Sequence, residues 1–117
     1  MYGLILQSIG RSNDSISYFE KALFNQSDNY AAMNNLANSY RNIYEFKKSE
    51  DLYKNVIKND PKNIKALNNY SNLKRKLNNY RDAKTLLLKA LTIDESNVTI
   101  LTNLVVCKKV GFFKSQK

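Results

Sequence analysis

The sequence predicts an all-α protein built from repeated helix pairs, and three observations lead to this prediction. Isoleucine and valine are scattered and never form the alternating runs that mark β-strands. One proline and three glycines occur in the chain, so few residues interrupt long helices. The chain also repeats itself with a period of about 34 residues, a length typical of stacked helical repeats.

The period is clearest in the asparagines and in the apolar residues around them. Asn34, Asn35 and Asn38 form the pattern Asn-Asn-x-x-Asn, which returns at residues 68–72. Other positions that recur at this spacing are Met33, Leu67 and Leu101; Leu36, Tyr70 and Leu104; Phe19, Tyr53 and Leu87; Ala22, Val56 and Ala90. This self-similarity indicates one helical unit per period, stacked on its neighbours.

Two helices are predicted in each complete period. They cover about residues 30–43, 45–58, 64–77 and 80–93. Asn78 and Asn79 stand where the last of them needs an N-cap. Pro61 lies in the joint between the two periods, where a proline opens a helix without losing a hydrogen bond.

The two ends of the chain hold partial units. Residues 1–29 are predicted to contain the end of one helix and then a second helix capped at Asn13 and Asp14. Residues 98–110 are predicted to form another helix, and Gly111 falls where the chain would turn into the partner of that helix. About seven helices are therefore expected.

The order of large, small and aromatic residues resembles the tetratricopeptide repeat family. In the unit that begins at residue 30 the matching positions are Met33, Leu36, Ala37, Tyr40, Ser49, Tyr53, Val56 and Pro61. In the next unit they are Leu67, Tyr70, Ser71, Ala83, Leu87 and Ala90. That unit departs from the pattern at Lys74, where an aromatic residue or leucine is usual, and at Glu95, which replaces the proline.

The resemblance implies a right-handed superhelical array of antiparallel helix pairs that occupies the whole chain as a single domain. The expected units are residues 1–29, 30–63, 64–97 and 98–117, the first and last of them partial. Repeat arrays normally end in a polar capping helix, and none is recognisable here. We interpret the chain as a piece of a longer array, or as one that packs against something else.

The resemblance also implies that the first helix of each unit lines a concave groove. Eight of the 18 side chains that helical spacing directs into it are asparagine, against about 2.6 expected by chance. An amide can hold both the N–H and the C=O of a bound backbone. The predicted peptide-binding residues are Asn34, Asn35, Asn38, Arg41, Asn42, Lys65, Asn68, Asn69, Asn72, Arg75, Lys76, Asn103 and Lys109.

Three of these asparagines are spaced one period apart. Asn35, Asn69 and Asn103 would form a ladder of amides that grips an extended chain without reading its side chains. The ladder is similar to that of the repeat superhelix in O-GlcNAc transferases.

The net charge of +9 is concentrated on the first helices. Those segments contain no acidic residue, and their cations are Arg41, Lys65, Lys74, Arg75, Lys76, Lys108 and Lys109. All ten acidic residues fall on second helices or joints. Two interpretations remain open: a solvated basic surface with acids paired on the outer helices, or a groove for an acidic or phosphorylated segment.

The leading functional interpretation is a scaffold or adaptor module that binds an extended peptide in its groove, and this peptide would be acidic under the second of the two charge interpretations. One alternative is the substrate-recruiting arm of a larger enzyme resembling O-GlcNAc transferase, and another is RNA binding by the basic groove. The two-carboxylate clamp of some tetratricopeptide repeats is excluded, because its three cations are missing. The aligned positions are Asn34, Asn38, Asn69, Thr99 and Asn103.

Other classes of site find no support in the sequence. Without histidine there is no Ser-His or Cys-His pair, so catalysis is not predicted for this chain, and neither a metal nor a cofactor is expected. The single Cys107 is predicted to be a small buried hydrophobe, and one cysteine fits the reducing cytoplasm or nucleus. No apolar run approaches the roughly 20 residues that span a bilayer, so no membrane partner is expected.

The helix that begins at Val98 is predicted to mediate self-association. It lacks a complete partner helix, so its apolar residues would otherwise meet water. Those residues include Ile100, Leu104, Phe112 and Phe113.

Overall fold

The computed structural model describes residues 2–26 and 28–115, and it describes the side chains of residues 14–26 and 28–107. These residues form six α-helices and no β-strand. The helices are α1 (Tyr2–Asn25), α2 (Tyr30–Asn42), α3 (Phe46–Asn59), α4 (Ile64–Lys76), α5 (Tyr80–Ile93) and α6 (Val98–Ser115). The all-α prediction is confirmed, and α2 to α5 begin and end within one residue of their predicted bounds.

The two end segments differ from the prediction, which explains why there are six helices rather than about seven. The predicted cap at Asn13 and Asp14 is wrong, because both residues lie inside the continuous helix α1. The turn expected at Gly111 is also absent from α6. Asparagine and aspartate each cost only about 0.7 kcal/mol relative to alanine inside a helix, and glycine about 1 kcal/mol. Such penalties are too small to end a helix without a tertiary contact that favours the turn.

Asparagine caps begin four of the helices. The Oδ1 atoms of Asn29 and Asn63 each accept a hydrogen bond of 3.0 Å from the backbone N–H three residues later. Asn97 does the same for Ile100 at 3.1 Å. Asn79 does so at 3.2 Å and is the predicted cap that the structure confirms. These amides satisfy N–H groups that have no partner within their own helix.

The turns after α2 and α4 share one geometry. Tyr44 and Asn78 have φ angles of 67° and 63°, in the left-handed region. The N–H of Tyr44 donates to the Arg41 carbonyl at 3.1 Å, and the next N–H donates to the Tyr40 carbonyl at 2.9 Å. This is the hydrogen-bond pattern of a Schellman motif, which ends the helix and reverses the chain.

The chain divides into two compact units, Met1–Asp60 and Pro61–Lys117. In the first unit α2 packs against both α1 and α3. Tyr53 and Val56 of α3 are fully buried, and the Ser49 hydroxyl donates to the buried Ala37 carbonyl at 2.8 Å. Small residues at this contact let the two helices approach closely.

In the second unit α5 packs against both α4 and α6. Its core includes Leu73 and Leu87. Ile100 and Leu104 are also buried, at 1% and 7% exposure, so the expectation that they meet water is wrong. Both belong to the side of α6 that packs inward. The side chains of Phe112 and Phe113, which carried the same expectation, lie outside the described residues.

Candidate functional site

Helix α2 carries the predicted binding residues of the first unit, and their environments differ. Asn34 is buried, whereas Asn35 and Asn42 are exposed. Asn38 is half-buried, and its Oδ1 accepts a hydrogen bond from the Tyr53 hydroxyl on α3. Burial raises the pKa of Tyr53, so the phenol stays protonated and remains a donor to Asn38. The amides of α2 that are open to a ligand are therefore Asn35 and Asn42.

Helices α4 and α6 carry the corresponding amides of the second unit. The Asn103 Nδ2 donates to the Asn68 Oδ1 at 2.7 Å, which joins side chains on two different helices. Asn72 accepts a hydrogen bond from the Arg75 guanidinium at 3.3 Å. Asn69 is half-buried. Several of the predicted binding amides are thus already hydrogen-bonded within the unit.

The predicted groove cations fall into two groups. Arg41 and Arg75 are half-buried, whereas Lys65 and Lys76 are exposed. Lys109 lies outside the residues whose side chains are described. In the described part of the chain neither α2 nor α4 contains an acidic residue, so the charges of these helices are not balanced within the helix itself.

A shallow depression lies between the first turns of α4 and α6. Its volume is about 170 Å³, and its lining residues are Ile64, Lys65, Asn68, Asn97, Thr99 and Ile100. The lining combines a lysine ammonium, a threonine hydroxyl and two amides with the apolar surface of two isoleucines. Such a set can accept a short polar or anionic side chain beside a methyl or methylene group.

Lys74, a cation of helix α4, makes its contacts within the second unit. Its Nζ lies 3.6 Å from an Asp82 carboxylate oxygen and 5.3 Å from the centre of the Tyr70 ring. One period earlier the positions of Lys74 and Asp82 hold Tyr40 and Lys48, and there the lysine lies 5.3 Å from the centre of the Tyr40 ring. At these two positions the first period therefore has a tyrosine–lysine cation–π contact, and the second period has a lysine–aspartate ion pair. This replacement explains why lysine stands at position 74, where an aromatic residue or leucine is usual.

The acidic residues of α3 pair with neighbours on the same helix. Lys47 and Asp51 are 3.5 Å apart, and Lys54 and Glu50 are 3.8 Å apart. Both pairs have the i,i+4 spacing predicted for a solvated outer surface, and each is worth only about 0.3–0.5 kcal/mol.

Sequence reasoning missed part of what the asparagines do. Asn29, Asn63 and Asn97 are helix caps, and they too are spaced one period apart. That spacing, together with their place just before each predicted helix, was the available signal. The direct bond between Asn68 and Asn103 had no comparable signal, because it depends on how α4 and α6 approach each other.

Cys107 is buried, as predicted, at 3% exposure. Burial raises the pKa of its thiol, and the Arg75 charge opposes that shift. Among the described helices, none is both long and apolar enough to cross a membrane.

Three family models of the tetratricopeptide repeat (TPR) match the sequence, over residues 1–23, 31–58 and 52–85. No curated protein sequence matches it significantly.

Solved structures with this fold include the TPR domain of Arabidopsis OM64. It is 20% identical with a TM-score of 0.79, over 86% of this chain and 83% of that one. The second TPR domain of human RPAP3, solved with the HSP70 peptide SGPTIEEVD, is 20% identical with a TM-score of 0.75, over 85% and 82%. A C-terminal TPR-containing domain of a putative FK506-binding protein from Plasmodium falciparum is 22% identical with a TM-score of 0.76, over 92% and 82%. At these identities the likeness shows the fold.

Proposed function

Because this chain belongs to the tetratricopeptide repeat family, we propose that it is a protein-interaction module that binds an extended, acidic peptide along its first helices. TPR domains commonly serve as protein-interaction modules, and the RPAP3 domain was solved with a peptide bound. The observation that carries the proposal is the depression in the second unit, where Lys65, Asn68 and Thr99 surround a small open volume.

Charge supports an acidic ligand. Lys65 is exposed at the depression, and among the described residues no ion pair involves its ammonium group. A hydrogen bond between an ammonium and a carboxylate is roughly twice as strong as one between neutral groups. The peptide in the RPAP3 complex, SGPTIEEVD, contains two glutamates and an aspartate, so another member of this fold accepts an acidic segment.

The amide ladder enters the proposal in a modified form. Asn35 is exposed and can offer both its donor and its acceptor to a peptide group. Asn103 is half-buried and has committed one of its two N–H groups to Asn68, so less of its amide is open to a ligand than at Asn35. We therefore assign the bidentate backbone contact to Asn35, and to Asn103 a single contact with a peptide N–H.

Selection from a displayed library of short random peptides tests the acidic preference. The expected result is enrichment of aspartate and glutamate among bound peptides, with weaker binding at higher salt. Lys65→Gln should reduce that enrichment, whereas the matched variant Lys62→Gln, in the joint before α4, should leave it unchanged. A bound set with no acidic enrichment would refute the charge argument.

The ladder has its own test with one selected peptide. Asn35→Ala should weaken binding by about 0.5–1.5 kcal/mol, the net value of a neutral hydrogen bond. The melting temperature should stay equal or rise, because alanine is the better helix former at an exposed position. Asn55→Ala, on the exposed side of α3, is the matched control. A fall in melting temperature with no loss of affinity would assign Asn35 to stability instead.

RNA binding is the competing outcome of the same experiments. A single-stranded RNA that binds with a steep salt dependence, and keeps its affinity in Asn35→Ala, would favour the basic surface as a nucleic-acid site. Recruitment of substrates to a larger enzyme would use the same peptide contacts.

A further inference from the structure

The net positive charge of the protein belongs entirely to its second unit. Residues 1–60 contain seven basic and seven acidic residues, so the first unit has no net charge. Residues 61–117 contain 12 basic residues against three acidic ones, which gives this unit the whole net charge of +9. Such an asymmetry between the two halves of a chain points to an anionic partner of the basic half.

The outer side of α5 is one place where this excess charge is open to solvent. Arg81, Lys84 and Lys89 are exposed, and among the described residues no ion pair involves them. Asp82 is the one acidic residue of α5, and its carboxylate lies 3.6 Å from the ammonium group of Lys74 on α4. The acid of α5 is thus engaged by another helix, and the three exposed cations of α5 are not neutralised on their own helix.

Helix α3, one period earlier, shows that the repeat does not require this arrangement. Its cations are neutralised at i,i+4 spacing, by Asp51 at 3.5 Å and by Glu50 at 3.8 Å. One period later the two acids are replaced by Thr85 and Lys84. These replacements remove both ion pairs, and they leave a basic surface on α5 where α3 has a balanced one.

The composition of this surface favours a nucleic acid over a protein or a membrane. Protein interfaces are depleted in lysine and centre on large apolar side chains, whereas the one exposed apolar side chain of α5 is Leu88, at 41%. A helix that lies on a membrane inserts its apolar side, but on α5 that side is already buried in the unit through Ala83, Leu87 and Ala90. A polyphosphate chain needs neither feature, because lysine and arginine bind it by releasing its counterions.

We propose that the outer side of α5 binds the phosphate backbone of a double-stranded nucleic acid, with Arg81, Lys84 and Lys89 as the contacting cations. A duplex fits better than a single strand, because single strands are held by stacking on aromatic rings and the exposed residues of α5 include none. The proposal does not depend on peptide binding, because none of these three cations lines the depression that contains Lys65.

Fluorescence anisotropy of a labelled short DNA duplex of arbitrary sequence, titrated with the whole chain, tests the site. The logarithm of the association constant should fall against the logarithm of salt concentration with a slope of about −2.7 or steeper, since three phosphates are neutralised. Lys84→Glu copies Glu50 of α3, and it should weaken binding about tenfold at low salt and make the slope shallower by about 1. Thr85→Asp copies Asp51 beside Arg81 and should also weaken binding.

Lys58→Glu, at an exposed position of α3, is the matched control because it changes the net charge by the same amount as Lys84→Glu. It should alter the association constant by less than about threefold, since screening limits the reach of a distant charge. Equal losses in the two variants would show that net charge alone drives binding and would overturn the proposal. Tighter binding to a single strand, to phosphatidylserine vesicles or to polyglutamate than to the duplex would overturn it as well.

Discussion

The turn after α2 offers a sharp test of how backbone geometry limits stability. Tyr44 adopts φ of 67°, a region in which a residue with a bulky side chain loses roughly 1–2 kcal/mol. The equivalent turn in the next period uses Asn78 at φ of 63°. Asparagine visits this region more readily, because its short side chain bonds to the nearby backbone. Tyr44→Asn should therefore relieve about 1 kcal/mol of strain.

The lost ring contact partly offsets this gain. Tyr44 is 64% exposed, and its ring meets that of Phe46 edge-on, with the ring centres 6.0 Å apart. An exposed aromatic pair of this kind contributes at most about 0.5 kcal/mol, the low end of the usual range. The expected net effect of Tyr44→Asn is a stabilisation of about 0.5 kcal/mol, or roughly 2 °C in melting temperature.

Thermal and urea denaturation of three variants would measure the backbone strain and the ring contact separately. Tyr44→Ala loses the ring but keeps a side chain in the strained region, so it should destabilise the fold. The reciprocal change, Asn78→Tyr, should cost about 1 kcal/mol. If Tyr44→Asn destabilises the protein, or if Asn78→Tyr is neutral, the left-handed conformation is not what distinguishes the two turns.

Further predictions concern the helix caps, the exchanged pair and the thiol. Alanine at each periodic cap should cost about 1 kcal/mol of unfolding free energy in urea titrations, whereas alanine at an exposed helical asparagine should not; the caps are Asn29, Asn63 and Asn97. Lys74→Tyr and Asp82→Lys should each destabilise alone and compensate together, so a double-mutant cycle should give a favourable coupling energy. Burial raises the pKa of Cys107, so at about pH 8 the native thiol should react with a disulfide reagent far more slowly than the urea-unfolded thiol. Equal rates would place Cys107 in a mobile part of α6.

Helices α2 to α5, which belong to the two complete periods, were predictable because their sequence signals are local. Apolar spacing, the 34-residue period and the polar joints located α2 to α5 within one residue. The turns between these helices form because asparagine caps and residues in the left-handed conformation act on the backbone beside them. Asn13 and Gly111 show the limit of this reasoning. A weak helix former ends a helix only when tertiary packing favours the turn, and sequence reasoning has no access to that packing.

The exposure of the proposed binding residues was predictable only in part. Helical spacing identified which side chains share a face, and Asn35, Asn42 and Lys65 do remain exposed. The same spacing could not tell that Asn38 accepts from Tyr53, or that Asn103 donates to Asn68. These bonds depend on interhelical distances, which vary with the size of every residue packed between the helices.

The sequence by itself determined the repeat, the all-α class and the absence of acidic residues from the first helices. Each of these follows from residue order at fixed spacing, because a helix converts spacing into direction. The tertiary structure decided which amides are already satisfied, why a lysine is tolerated at position 74, and which side of α6 packs inward. These are properties of pairs of side chains far apart in sequence. Their contacts exist only once packing has brought the helices together.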